Sequence, residues 1–129
     1  MKLHVLIMNK EKILIFEDDQ YITDILKLDF EKRGFITHFS ITSLEIISQV
    51  KNINPDLIIM NNYLPPIGGI SAVKILKTDL DLCDIPIILS SGKQNVREMK
   101  LSCGADEYLL KPFSLQHLYK LLSKYLKSI

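Results

Sequence analysis

Pro55-Asp56-Leu57-Ile58-Ile59-Met60-Asn61-Asn62-Tyr63-Leu64-Pro65-Pro66-Ile67-Gly68-Gly69 shows in one stretch how the chain is built. The breaker Asn54-Pro55 ends whatever precedes it. Leu57 to Met60 is an unbroken apolar run, too short for a helix and without polar alternation. It predicts a strand covered on both faces, as in a parallel sheet. Asp56 opens that strand and is expected at the opposite edge of the sheet from Asn61, which closes it. The prolines and glycines that follow turn the chain into its next segment.

Outward from this stretch the same alternation recurs. Ile13-Leu14-Ile15-Phe16 is another continuous apolar run. Gln20 to Arg33 then places Ile22, Ile25, Leu26 and Phe30 on one helical face, with Gly34 suited to the helix end. Phe35 to Ser40 is a predicted strand, and Ser43 to Lys51 a predicted helix through Leu44, Ile47 and Val50. Downstream, Ile70, Val73, Leu76 and Leu80 give a third helix, and Ile85 to Leu89, opened by Pro86, a fourth strand. Val96, Met99 and Cys103 mark a weaker fourth helix and Asp106 to Leu110 a short fifth strand. Leu115, Leu118, Leu121, Leu122, Tyr125 and Ile129 mark a strong last helix. Five strand–helix units with short links predict an α/β fold: a five-stranded parallel sheet with helices on both faces, in three layers. Right-handed crossovers leave few topologies. The doubly wound strand order 2-1-3-4-5 puts its crevice outside the C-terminal ends of strands 1 and 3.

The bulk numbers suit such a domain. A chain of 129 residues, 47% hydrophobic and 24% charged, is long enough to bury a core without staples. A formal net charge of +1 gives no reason to expect nucleic acid or an acidic membrane as a partner. No apolar run approaches the ~20 residues that span a bilayer. Cys83 and Cys103 fall in no metal-ligand spacing and read as reduced thiols of a cytoplasmic protein. Residues 1–11 read as an N-terminal extension or alternative start, and 12–129 as a single domain. The run Leu3-His4-Val5-Leu6-Ile7 is too short for a signal-peptide core, and its other reading is an extra edge strand or dimer contact.

The polar residues at the strand ends carry the chemistry. Glu17-Asp18-Asp19 would repel a phosphate and suits a cation such as Mg²⁺, which takes one or two carboxylates and keeps several waters. Those acids could equally serve only to cap the first helix, a role for which Asp19 is the best placed. Lys111, held out of helical backbone by Pro112, can keep nearby carboxylates ionised or meet a phosphoryl group. Taken alone, it reads as a solvated charge. Ser91 at the end of strand 4 offers a hydroxyl, which in such places is more often a cap. Tyr108 on strand 5 reads as core or edge filler, or as a ring that moves with Ser91.

Taken together, the chain from about Lys12 to Lys127 resembles the receiver domain of two-component response regulators, a flavodoxin-like fold. The resemblance rests on Ile-Leu-Ile-Phe-Glu17-Asp18-Asp19, Pro55-Asp56 through Asn61 to Pro65, Ile85-Pro86 through Ser91-Gly92, and Gly104-Ala105-Asp106-Glu107-Tyr108-Leu-Leu-Lys111-Pro112-Phe113. It implies that Glu17, Asp18, the residue at 61 and the backbone carbonyl of Tyr63 hold Mg²⁺. It implies that Ser91 and Lys111 contact a phosphoryl group and that Ser91 and Tyr108 form a switch pair. A sensor histidine kinase or other phosphorelay protein is the implied partner. The face of the fourth helix, fifth strand and fifth helix is the implied docking or homodimer surface. No second, DNA-binding domain is expected in the 129 residues.

At the phosphoacceptor position the resemblance implies an aspartate, and this chain has Asn61. A carboxylate attacks phosphorus to give an acyl phosphate. An amide has no negative charge, and its nitrogen lone pair is held in resonance. Phosphorylation at Asn61 is therefore expected to be lost, Mg²⁺ affinity to be weakened or abolished, and the amide to be free to bond Lys111 or an acid. Neighbouring Asn62 is also an amide and supplies no nucleophile. Three origins stay open: a receiver that binds partners without phosphorylation, an aspartate replaced to hold the unphosphorylated state, or a sequence error or later deamidation. A small flavodoxin-like enzyme or cofactor binder is the alternative from another class. It is disfavoured by the acids after strand 1 and by the lack of a catalytic constellation around His4, His38 or His117.

Overall fold

The apolar runs at residues 13–16, 57–60 and 87–89 become strands, because each supplies side chains for both faces of one sheet. The structure, a computed structural model, describes residues 10–129. The edge strand or dimer contact considered for residues 1–7 lies outside the described residues. In chain order the elements are β1 (Lys12–Phe16), α1 (Gln20–Lys32), β2 (Ile36–Ser40), α2 (Ile46–Ile53), β3 (Leu57–Asn61), α3 (Gly69–Thr78), β4 (Ile87–Ser91), α4 (Val96–Cys103), β5 (Glu107–Leu110) and α5 (Leu115–Leu122). All strand pairs are parallel and the order is β2-β1-β3-β4-β5, as the right-handed crossover rule leads one to expect. Among the described residues no helix is long and apolar enough to cross a membrane.

Strand parity divides the core in two. Leu14, Phe16, Ile58, Met60, Ile87 and Leu89 cluster with Ile46, Val50, Val73, Leu76, Val96 and Cys103 of α2, α3 and α4. Ile13, Ile15, Leu57, Ile59, Ile88 and Leu109 cluster with Leu26, Phe30, Leu118, Leu121 and Leu122 of α1 and α5. Glu17, Asn61, Ser90 and Lys111 each lie two residues beyond a member of the second set: Ile15, Ile59, Ile88 and Leu109. By parity they share its side of the sheet, at the C-terminal edge.

Several boundaries differ from the sequence reading; the last helix, for one, ends at Leu122 and leaves Tyr125 and Ile129 beyond it. The second helix starts at Ile46, not Ser43, and buries Ile46 and Val50, while Leu44 is exposed. Ser43 is drawn into the β3–α3 loop instead: its hydroxyl donates to the Leu64 carbonyl at 2.8 Å and accepts from Ile67 N at 2.9 Å. The chain then turns through Glu45 at φ 52°. The third helix stops at Thr78, so Leu80, expected on its apolar face, is 94% exposed. The fourth strand runs Ile87–Ser91, not 85–89. Pro86 has no N–H for a ladder, Ile85 N is engaged in a turn with the Leu82 carbonyl, and the ladder begins only at Ile87. Just past α1, Gly34 takes a left-handed φ of 91°, which suits a glycine beyond a helix end.

Candidate functional site

The first acidic segment divides its work between cap and pocket. Asp19 caps α1, accepting from Tyr21 N at 2.9 Å and Ile22 N at 3.3 Å. Glu17 is 4% exposed and turns its two oxygens to different donors. Oε1 meets Lys111 Nζ at 2.6 Å, and Oε2 accepts from Asp19 N at 3.1 Å. Such a buried carboxylate needs both: an unpaired charge at this depth would cost several kcal/mol. Asp18 is exposed.

β3 delivers Asn61 between these groups. Asn61 is 6% exposed, and its side chain makes three hydrogen bonds. Oδ1 accepts from Lys111 Nζ at 3.1 Å. Nδ2 donates to the backbone carbonyl of Tyr63 at 2.9 Å and to Asp18 Oδ1 at 3.3 Å. The orientation of the amide follows from its neighbours. Lys111 can only donate, so Oδ1 faces it; the carboxylate and the carbonyl can only accept, so Nδ2 faces them. The backbone of Asn61 is equally enclosed. A Cβ built on Gly69 would lie 2.1 Å from the Asn61 carbonyl oxygen, so only glycine lets α3 start this close to the strand.

Lys111 is carried in by β5. Its N–H donates to the Ser91 carbonyl at 2.8 Å, and the Lys111–Pro112 peptide is cis. Ser91 itself is 3% exposed, and its hydroxyl accepts from Lys93 N at 3.1 Å, a turn-capping contact. Tyr108 is 39% exposed on β5. The structure thus brings Glu17, Asp18, Asn61, the Tyr63 carbonyl and Lys111 into one hydrogen-bonded set, with Ser91 joined to it only through the backbone of Lys111. Asp56 lies at the other end of the sheet, where it accepts from Lys12 N at 2.7 Å.

The sequence reading set Ser90 beside Ser91 at the end of strand 4 but gave it no role. It pairs with Asn61 across β3 and β4, is 2% exposed, and its hydroxyl has no hydrogen-bond partner. Strand parity places it, and not Ser91, on the same side of the sheet as Asn61. Asp106 was also read only as the start of β5. Its Oδ2 accepts from Lys77 Nζ at 2.7 Å and from Ile87 N at 2.8 Å, tying α3 to the sheet.

The oxygen groups that a divalent cation would use are already engaged in this arrangement. Mg²⁺ wants free oxygens in near-octahedral array, but each oxygen group that would serve already faces a nitrogen. Glu17 faces Lys111 and Asp19 N, Asp18 and the Tyr63 carbonyl face Asn61 Nδ2, and Asn61 Oδ1 faces Lys111. Among the described residues no group of three or more His, Cys, Asp or Glu is placed to hold a metal ion.

Known proteins with this architecture are numerous. The DNA-binding response regulator MtrA of Mycolicibacterium paratuberculosis is 27% identical over 111 residues, covering 84% of this chain and 48% of MtrA. The chain therefore spans about half the length of the curated relatives it matches. The receiver domain of the Francisella response regulator 1452 is 30% identical, covers 90% of this chain and 96% of its own, and superposes with a TM-score of 0.79. The receiver domain of the sensor histidine kinase PA1611 from Pseudomonas aeruginosa, which holds a magnesium ion in its active-site cleft, is 24% identical with a TM-score of 0.80. It covers 90% of this chain and 97% of its own, and at that identity it speaks for the fold alone. The family model described as "Response regulator receiver domain" matches residues 13–123. With that match over most of its length, and with the strand order that the family shares, the chain belongs to the response regulator receiver domains of two-component signal transduction.

Proposed function

We propose that this chain is a receiver that works through protein–protein contact without accepting phosphate at Asn61. The observation that carries the reading is the place of Asn61: it sits at the end of β3, in direct contact with the Lys111 ammonium. Acceptance of a phosphoryl group would form an oxygen–phosphorus bond from a carboxylate while the donor's bond to phosphorus breaks. The Asn61 amide oxygen is neutral, and its one charged neighbour is a cation that it already satisfies. Glu17 and Asp18, with the Tyr63 carbonyl, are the residues that would hold Mg²⁺ if the amide were a carboxylate, and Ser91 and Lys111 those that would contact the phosphoryl group.

The partners we propose are a sensor histidine kinase or another phosphorelay protein, met in the cytoplasm. Docking or homodimerisation is assigned to the face of α4, β5 and α5, where Leu101 is 66% and Tyr108 39% exposed. Ser91 and Tyr108 would be the switch pair on that face. Residues 12–129 are proposed to act as one receiver unit, preceded by an extension.

Intact mass after incubation with acetyl phosphate and Mg²⁺ tests the reading. The wild-type chain is expected to show no adduct, and Asn61→Asp a base-labile phosphate adduct. A stoichiometric adduct on the unaltered chain contradicts the proposal. A second reading, an ordinary phospho-accepting regulator whose aspartate was replaced, draws support from the retained Glu17, Asp18 and Lys111. The chromosomal codon at position 61 decides it, and an asparagine codon rejects it.

A further inference from the structure

Asn61 Nδ2 joins two oxygens that a metal ion would otherwise have to join. It reaches both Asp18 Oδ1 and the Tyr63 carbonyl, at 3.3 and 2.9 Å. Those two oxygens come from different segments, β1–α1 and β3–α3, and among the described residues neither accepts a hydrogen bond from any other donor. We infer that the Asn61 amide nitrogen is a built-in substitute for the divalent cation, so that this receiver keeps its pocket assembled with no metal at all. The inference rests on the reading that Asn61 stands where an acceptor carboxylate would.

Charge argues the same way as geometry. With a carboxylate at this position, three acids would face the single ammonium of Lys111, an imbalance that calls for a dication. With Asn61, Glu17 is matched by Lys111 at 2.6 Å, and the one acid left over, Asp18, is exposed to water that screens it. A neutral amide with two N–H groups then suffices to join Asp18 to Tyr63. Reversing the amide would set its oxygen against two acceptors and its N–H groups against an ammonium, so it cannot turn to offer an oxygen to a cation without breaking all three bonds.

The consequence reaches the β3–α3 loop. Asn61 Nδ2 pins the Tyr63 carbonyl from the pocket side, while Ser43 pins the Leu64 carbonyl and Ile67 N from the other. Asn62 O accepts from Gly69 N at 2.9 Å and Leu64 O from Gly68 N at 2.8 Å. The loop is thereby held in one shape, with the Tyr63 side chain 67% exposed beside the pocket. In this protein that shape would not respond to magnesium.

A metal titration tests it. Thermal melts of the full chain in excess MgCl2 and in EDTA are expected to coincide, and Mn²⁺ to leave the backbone NMR signals of Asp18 and Tyr63 unbroadened. Asn61→Asp, which keeps the shape of the side chain, is expected to gain an Mg²⁺-dependent rise in Tm and selective broadening of those signals by Mn²⁺. Asn61→Ala, which frees Asp18 and Tyr63 without adding charge, is expected to broaden measurably more than wild type and less than Asn61→Asp. Broadening of the wild-type signals at the same Mn²⁺ concentration as in Asn61→Asp overturns the inference, as does a wild-type Tm raised by Mg²⁺. Such a result with no phosphate adduct would remove the substitute-cation idea and leave phosphorylation independence standing. A phosphate adduct on wild type would remove both.

Discussion

Lys111 has two partners of unequal weight. Its contact with Glu17, at 2.6 Å and with the carboxylate 4% exposed, is a charge pair in a poorly solvated place. Its contact with Asn61 is a longer bond to a neutral oxygen. Lys111→Met leaves Glu17 buried without its ammonium and is expected to cost about 3 kcal/mol in urea denaturation, in the range for breaking buried pairs. Asn61→Ala leaves that pair intact and orphans mainly the Tyr63 carbonyl, so about 1–2 kcal/mol is expected. Equal losses would mean that the amide, not the ion pair, holds the pocket together. At this scale the residue types were legible in the sequence, since Glu17, Asp18, Asn61 and Lys111 were all singled out and all meet. What was not legible was the direction of each bond. The three-way choice of Asn61 depends on which neighbours can donate, and only the folded backbone sets that. Ser91 shows the same limit: its hydroxyl caps the turn at Lys93 in this structure, a role the sequence reading weighed beside the phosphoryl-contacting one.

Among the elements, the junction of β3 and α3 is closely packed. Gly69 begins α3 directly over the carbonyl of Asn61. Gly69→Ala would force backbone against backbone, and an expected loss of about 1–3 kcal/mol follows from overpacking that cannot be relieved by a rotamer. Amide chemical shifts should move at Asn61 and Asn62 as well as in α3. A neutral Gly69→Ala, with unshifted Asn61, would show that the junction yields easily. The strands were readable because covered parallel strands need runs of apolar residues, and β1, β3 and β4 have them at residues 13–16, 57–60 and 87–89. Helix limits were less so, because the sequence pattern around Ser43 and Leu44 fits a helix start while the Ser43 hydroxyl is claimed by a loop more than twenty residues away. Leu80 likewise continues a helical period that the chain abandons at Asp79, which turns to accept from Asp81 N and Leu82 N.

Across the whole molecule, Tyr119 joins α5 to α1 and Tyr125, just beyond α5, is tied to β5; together they give stability an alkaline limit. Burial, and the hydrogen bond to Asp29, raise the Tyr119 hydroxyl well above its ordinary value; burial and Glu107 do the same for Tyr125. A folded value above the unfolded one means that this stabilisation is complete below pH ~10 and is lost as pH rises beyond it. Urea midpoints should therefore fall above that pH, and Tyr119→Phe should flatten the fall; an unchanged slope would show that Tyr119 does not link folding to pH. The topology of the sheet followed from the five repeats and the handedness of crossovers. The state of the pocket did not, because it depends on contacts between residues up to 94 positions apart. That state is tested most directly by the side-chain amide protons of Asn61, followed by ¹⁵N NMR in the full chain. They should appear as two hydrogen-bonded, slowly exchanging signals that do not move when MgCl2 and acetyl phosphate are added together. Signals that shift or vanish on that addition would contradict a receiver held by its own asparagine in one metal-free, unphosphorylated form.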